Sequence, residues 1–437
     1  MERGSLYILV FNALLYLLLF YKYYKSVRRI TPLVFVLALY GIISVVAISL
    51  YVDPISDYKV MKLWPFLYLF LFLFVSFYPL AVFERRKNKK FKRPSILLIS
   101  LFSWMICFIA LLFIVKSIPK LGSASFGDVT DVASAYADFR GDDSANKDFG
   151  IIDGLNSIFR YFYIFLLFYY FSSSRKEKYV FITVFSIAVI VSVLLDLSNG
   201  VRGPILGTAF QVICALLLFL DYYSVAVKKR VKRIMIVLSG FMILAFSIIT
   251  IGRFSSEQNA VENAMSYYAK SYASQSFLNF NQYGLDNGGL RYGDKTVPII
   301  RKIMGLSYSK SYMERRNHFW QLHMDDSVFY TFIGDFTLDF GPVGAAVVLL
   351  IIFLFYYVFL RRKGPISLGQ LIVVYIIFIK CANGFTLYPF AEMGGNRALL
   401  FMIFVAMLFD VDVIMRSSLQ KDGIESKNAQ LIKSILR

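Results

Sequence analysis

The chain has 437 residues, of which 58% are hydrophobic, 18% aromatic and only 17% charged. Soluble domains average roughly 45–50% apolar and about 25% charged, so that class is excluded; 44 Phe and 30 Tyr exclude disorder, and the absence of a Gly or Pro repeat excludes a fibrous chain. The formal net charge of +19 fits nucleic acid, anionic lipid or membrane topology until the basic residues are located.

Eleven apolar runs follow in chain order: 5–21, 32–52, 63–83, 95–115, 153–171, 179–197, 205–226, 234–251, 342–360, 366–388 and 398–415. A helix needs roughly 20 residues, at about 1.5 Å each, to cross a bilayer. Backbone polar groups cannot stay open in lipid, so these runs are expected to be helices. The first has neither a basic stretch ahead of it nor a small-residue cleavage site, and reads as a retained helix rather than a signal peptide. The expected fold class is an all-α polytopic membrane protein of about 11 transmembrane helices, a single domain over 1–437.

The basic residues fall in alternate loops. One set, from Lys22–Arg29, Arg85–Arg93, Arg175–Lys178, Lys228–Arg233, Arg361–Lys363 and the tail from Arg416, holds 27 Lys and Arg against seven acids. The other set holds 20 against 21. The positive-inside rule makes the first set cytoplasmic, so the N-terminus is outside and the C-terminus inside. The net charge is thus a topology signal, and no nucleic-acid partner is expected. Cys107, Cys214 and Cys381 all fall within apolar runs, which offers neither a disulfide framework nor a zinc spacing.

Two segments outside the membrane are long. Residues 116–152 form an outer loop that is acidic and rich in Gly, Ser and Asp, expected to hold short helices and turns. Residues 252–341 form the large outer loop. Ser255 and Gln258 are spaced as a capping box, and Ala260, Val261, Ala264, Met265, Tyr268, Ala269 and Tyr272 recur at helical spacing. Such an amphipathic helix either lies on the membrane surface or packs on the bundle. A short helix is expected near 297–306. Residues 327–341, SVFYTFIGDFTLDFG, are apolar but interrupted by Asp335 and Asp339, and join the next span through Gly341-Pro342. This run is expected to be re-entrant or interfacial, covered by protein or lining a cavity. No internal repeat is visible, which counts against carriers built from inverted halves.

Ionisable residues near the spans are the informative ones, since each costs a few kcal/mol at mid-membrane. Five cations stand toward the outer leaflet: Arg160, Arg202 in SNGVRGP, Arg253 in SIITIGRFSS, Lys380 in FIKCANG, and Arg397 after GGN. Singly, each can snorkel to lipid headgroups or pair with an acid; five from five segments suggest a shared cationic cavity. Arg202 and Arg397 stand among glycines, and Arg397 opens a helix, where an anion is favoured. Guanidinium groups grip phosphate bidentately, which points to a diphosphate. Asp335, Asp339, Glu392 and, less plainly, Asp196 are candidate proton acceptors, and either His318 or His323 could serve as a base. Asp335 and Asp339, four apart, could equally neutralise arginines. No motif calls for a metal: His318 and His323 are five apart with no zincin glutamate between them.

The chain resembles the Wzy-type oligosaccharide repeat-unit polymerases of O-antigen and capsule synthesis, over nearly its whole length. SNGVRGPIL resembles that family's small-residue-plus-arginine turn, TFIGDFTLDFGPVGAAVV its Asp-Phe-Gly entry to a span, and NRALLF the arginine that begins a late span. A clean pair of arginine-rich motifs in two outer loops, found in some members, is not present. The resemblance implies a C-type-like membrane glycosyltransferase at the periplasmic face of the bacterial inner membrane, joining undecaprenyl-diphosphate-linked repeat units without a cofactor. By that analogy Arg202, Arg253 and Arg397 hold the donor diphosphate, Arg160 and Lys380 support them, and Asp335, Asp339 or His323 acts as base. Expected partners are the lipid-linked glycans and membrane lipids; a chain-length regulator is left open. An O-antigen ligase and a lipid-linked oligosaccharide flippase are the competing readings.

Overall fold

The computed structural model describes residues 3–86, 90–122, 150–173, 176–199, 202–234, 240, 261–324, 328, 330–362 and 364–421. In chain order the helices are α1 (Arg3–Val27), α2 (Pro32–Tyr51), α3 (Leu63–Glu84), α4 (Ile96–Gly122), α5 (Ile151–Phe171), α6 (Lys178–Ser198) and α7 (Arg202–Phe219). They continue with α8 (Val261–Tyr283), α9 (Pro298–Ile303), α10 (Tyr312–His318), α11 (Thr331–Arg361), α12 (Leu368–Asn383) and α13 (Glu392–Lys421). Among the described residues no strand forms, and one isolated bridge joins Phe91 to Ile366. Among the described residues nine helices are long and apolar enough to cross a membrane: α1 to α7, α11 and α13. The chain is therefore an all-α, multi-pass membrane protein in its architecture. The expected run at 234–251 and the Ser255–Gln258 box lie outside the described residues, apart from Ile234 and Gly240.

Side-chain contacts sort the connecting segments into two ends. At one end Arg29 pairs with Asp221 at 3.0 Å, Arg86 donates to Gln370 at 2.8 Å, and Asp412 accepts from the Ser95 amide at 2.9 Å. Arg362 pairs there with Asp410. These segments are members of the basic set, and this is the basic end. Glu84 caps α2 at the same end, accepting from the Leu33 amide at 2.8 Å and the Thr31 hydroxyl at 2.7 Å, where the helix N-terminus favours an anion. At the other end Lys270 pairs with Asp53 at 2.8 Å, and Asn281 exchanges two hydrogen bonds with the Lys62 backbone. This is the loop end.

Two boundaries differ from those expected, and the amphipathic stretch takes one of its two expected places. The amphipathic stretch becomes α8, which packs on the bundle: the Phe277 ring meets Tyr16 at 5.7 Å and the Phe280 ring meets Tyr68 at 6.2 Å. α4 runs on past residue 116 to Gly122, so the first outer segment is shorter than expected. The run expected at 366–388 is helical only to Asn383. Its sixteen residues span about 24 Å at 1.5 Å each, short of a bilayer core of roughly 30 Å. Neighbouring helices compensate, since every residue from Leu368 to Ala382 is buried. Gly369 permits the closest approach, for a Cβ there would stand 2.0 Å from the Ala406 carbonyl oxygen on α13. Protein likewise covers the irregular turn after Asn383, where Phe385, Tyr388 and Phe390 are buried.

Candidate functional site at the loop end

The segment expected to be re-entrant is helical, forming the first part of α11. Residues Thr331 to Asp339 are all buried. The helix breaks at Gly341, with φ 71° and ψ 170°, a conformation open in practice to glycine alone, and resumes at Pro342. The entry is strained as well: Thr331 has φ 72°, unusual for a β-branched residue, and its amide donates to the Thr386 carbonyl at 2.9 Å.

Two carboxylates inside such a segment require cations, and the preceding loop supplies them. Arg291 is fully buried and sends Nε to Asp339 Oδ1 at 2.7 Å; its Nη2 lies 3.0 Å from the Asp335 carbonyl and 3.4 Å from Asp335 Oδ1. Lys295 Nζ stands 2.9 Å from that same Oδ1. The second oxygen of Asp339 accepts from the Thr296 amide at 2.7 Å and hydroxyl at 2.6 Å, and that of Asp335 from the Tyr388 amide at 2.7 Å. All four carboxylate oxygens are thus engaged. The arrangement fits charge neutralisation, and offers no open oxygen to a substrate proton. Continuing outward, Lys295 accepts at its carbonyl from the Glu392 amide at 2.9 Å, and Glu392 pairs with Arg315 at 2.8 Å. The loop from Arg291 to Arg315 therefore straps the buried part of α11 to the start of α13.

Beside this strap lies a cavity of about 280 Å³. Its walls come from α5 through Arg160, Tyr161 and Tyr163, from α6 through Ser192, from α7 through Gly203 to Gln211, and from the turn after α12 through Asn383 and Thr386. Tyr272 of α8 completes it. Hydroxyls and amides, one guanidinium and apolar stems line it together, the mixture a polar headgroup on a hydrocarbon tail requires. Arg160 is solvent-accessible, with its guanidinium 5.4 Å from the Tyr161 ring centroid. Asp196 stands on α6 one turn beyond Ser192.

The other expected residues divide as follows. The backbone of Arg202 opens α7, directly ahead of the lining residues Gly203 and Pro204, while its side chain lies outside the described residues, as does all of Arg253. Lys380 is buried away from the cavity lining, its Nζ 5.3 Å from the Phe332 ring and 5.5 Å from the Tyr356 ring. Arg397 is exposed on the second turn of α13. His323 is exposed too, with its Nδ1 3.2 Å from the Asp286 carbonyl and its amide donating to the Asn287 carbonyl at 3.0 Å. Of the five cations, Arg160 alone among the described side chains lines the cavity.

Sequence reasoning missed Arg291, Lys295 and Arg315, because it weighed only the charges within or beside apolar runs. A signal was present: two acids four apart in an apolar stretch demand partners, and the preceding loop carries the charged motifs RYGDKT and MERRNH. No protein-family profile, curated protein or solved structure matches the chain.

Proposed function

We propose that the chain is a membrane glycosyltransferase that polymerises undecaprenyl-diphosphate-linked oligosaccharide repeat units at the periplasmic face of the bacterial inner membrane. The observation that carries this reading is the loop-end cavity lined by Arg160 and opened by the helix that begins at Arg202. In it the loop end faces the periplasm and the basic end the cytoplasm, as the charge count implies.

The donor is the growing glycan on its lipid diphosphate. Arg160 and Arg202 bind the diphosphate and stabilise the charge that develops as the bond from the anomeric carbon to the diphosphate oxygen breaks. A hydroxyl of the incoming unit forms the new bond to that carbon, and its proton passes to Asp196. Asp196 takes this role over Asp335 and Asp339 because their oxygens are already engaged by Arg291, Lys295, Thr296 and Tyr388. Asp335 and Asp339 act instead by holding the strap beside the cavity. Arg397 and Lys380 have no contact with the cavity in this reading, and Arg253 lies outside the described residues.

The test is reconstitution of the purified chain with lipid-linked repeat units. A ladder of lengthening products supports the reading. Transfer only to lipid A core indicates a ligase and mere passage across liposomes a flippase; either result overturns it.

A further inference from the structure

A second loop-end pocket, of about 280 Å³, lies between the segment joining α2 to α3 and one side of α8. Its lining is distinctive: three tyrosines (Tyr58, Tyr267 and Tyr283) stand with Gln275, Asn279, Gln282, Lys59 and Asp57. Three phenol rings offer flat apolar faces, while their hydroxyls, three amides, a lysine and a carboxylate offer donors and acceptors in several directions. That pairing matches a sugar, whose C–H faces stack on aromatic rings and whose hydroxyls each need both a donor and an acceptor. Burial first, then the neighbouring Tyr267, Asp57 and Tyr283, pushes the Tyr58 phenol above its ordinary value, so it keeps its proton at neutral pH. The pocket is connected to the arginine cavity by α8, for Tyr272 of that helix lines the cavity while Gln275 to Tyr283 line the pocket. At 1.5 Å per residue the two are about 5–16 Å apart along the helix.

We propose that this tyrosine–amide pocket is a sugar-binding subsite that holds an oligosaccharide away from the reacting bond. The proposal rests on the polymerase reading for the identity of its ligand, a repeat-unit glycan, but its chemistry stands on the lining alone. Such a subsite would hold a unit of the growing or incoming chain while its lipid diphosphate occupies the arginine cavity.

The test uses the full-length chain in nanodiscs and a printed panel of free bacterial surface oligosaccharides as the probe. Binding that weakens about tenfold or more (about 1.4 kcal/mol) in Tyr58→Ala and in Gln275→Ala is expected. Should Tyr58→Ala fail to elute as a single species, Gln275→Ala and Gln282→Ala decide, since both glutamines are only partly buried. Retention of no sugar by the parent chain, or parent-like binding by the folded variants, overturns the proposal. Pocket-dependent sugar binding with no chain extension from lipid-linked units would remove the polymerase reading and leave the subsite standing. Chain extension with parent-like binding in the variants would do the reverse.

Discussion

Replacing Arg291 by methionine tests the strap most directly. The guanidinium, Asp335 and Asp339 are each fully buried, so its removal leaves negative charge where water cannot replace the lost partner. The two acids do not suffer equally. Asp335 retains Lys295 at 2.9 Å and the Tyr388 amide at 2.7 Å, whereas among the described residues Asp339 retains only the amide and hydroxyl of Thr296. Breaking one side of a buried pair costs about 3–5 kcal/mol, and the Asp339 contact at 2.7 Å places Arg291→Met in that range. Removing both charges, in Arg291→Met with Asp339→Asn, should recover part of the loss, giving a coupling of about 1–3 kcal/mol. Unfolding of the purified protein in detergent, followed by tryptophan fluorescence, measures both quantities. A single variant within about 0.5 kcal/mol of the parent, or strictly additive variants, would refute the argument that the ion pairs hold this segment.

Four further outcomes are expected. Arg160→Ala should lower product formation about 100- to 1,000-fold in a reconstituted assay while the protein still reaches the membrane; normal product length would remove Arg160 from the diphosphate. Asp196→Asn should cost about 100- to 10,000-fold if it accepts the acceptor's proton, and Asp335→Asn should be judged in parallel by stability, where its effect belongs. Activity should survive chelation, since the developing charge is met by guanidinium groups; loss with EDTA and rescue by magnesium or manganese would contradict this. An impermeant maleimide should label Trp320→Cys from the periplasmic side, because Trp320 is 82% exposed and all three native cysteines are buried; labelling only after the inner membrane is opened would reverse the orientation.

Acid should loosen one loop-end anchor, and only at low pH. The hydrogen bond from Lys270 is the main cause holding the Asp53 carboxyl below its ordinary value, and the Ile55 amide adds to it. A depressed folded value means that the contribution is complete above the unfolded value, near 3.9, and is lost as pH falls through the folded one. Hydrogen exchange of residues 52–58 should therefore rise only under strongly acidic conditions, and Asp53→Asn should abolish that dependence.

Much of the architecture was legible because lipid imposes so severe a rule. A run such as 63–83 must close its own hydrogen bonds, and α3 over Leu63–Glu84 follows almost residue for residue. The alternation of charge was legible for the same reason, and contacts such as Arg29–Asp221 and Arg362–Asp410 gather the basic set at one end. Hydropathy cannot see an apolar turn that protein rather than lipid covers, so α12 was drawn too long through Phe385 and Tyr388. Nor can it pair charges across a loop: Arg291 looks like any solvated arginine until Asp339 is brought against it. The cavity at Arg160 was half legible, since the arginine and the SNGVRGP turn stood out. Its remaining walls, Ser192, Gln211 and Asn383, are ordinary polar residues that only the packing of four helices assembles.

The order of the strap's charges along the chain bears on how the protein is made. Arg291 leaves the ribosome forty-four residues before Asp335, so in the proposed orientation the cations precede the acidic part of α11 to the outer side. An apolar stretch bearing two bare carboxylates is a poor passenger in lipid, but it becomes neutral once it meets Arg291 and Lys295. In that orientation the partners of Asp335 and Asp339 arrive first, and the buried part of α11 docks against charges already in place.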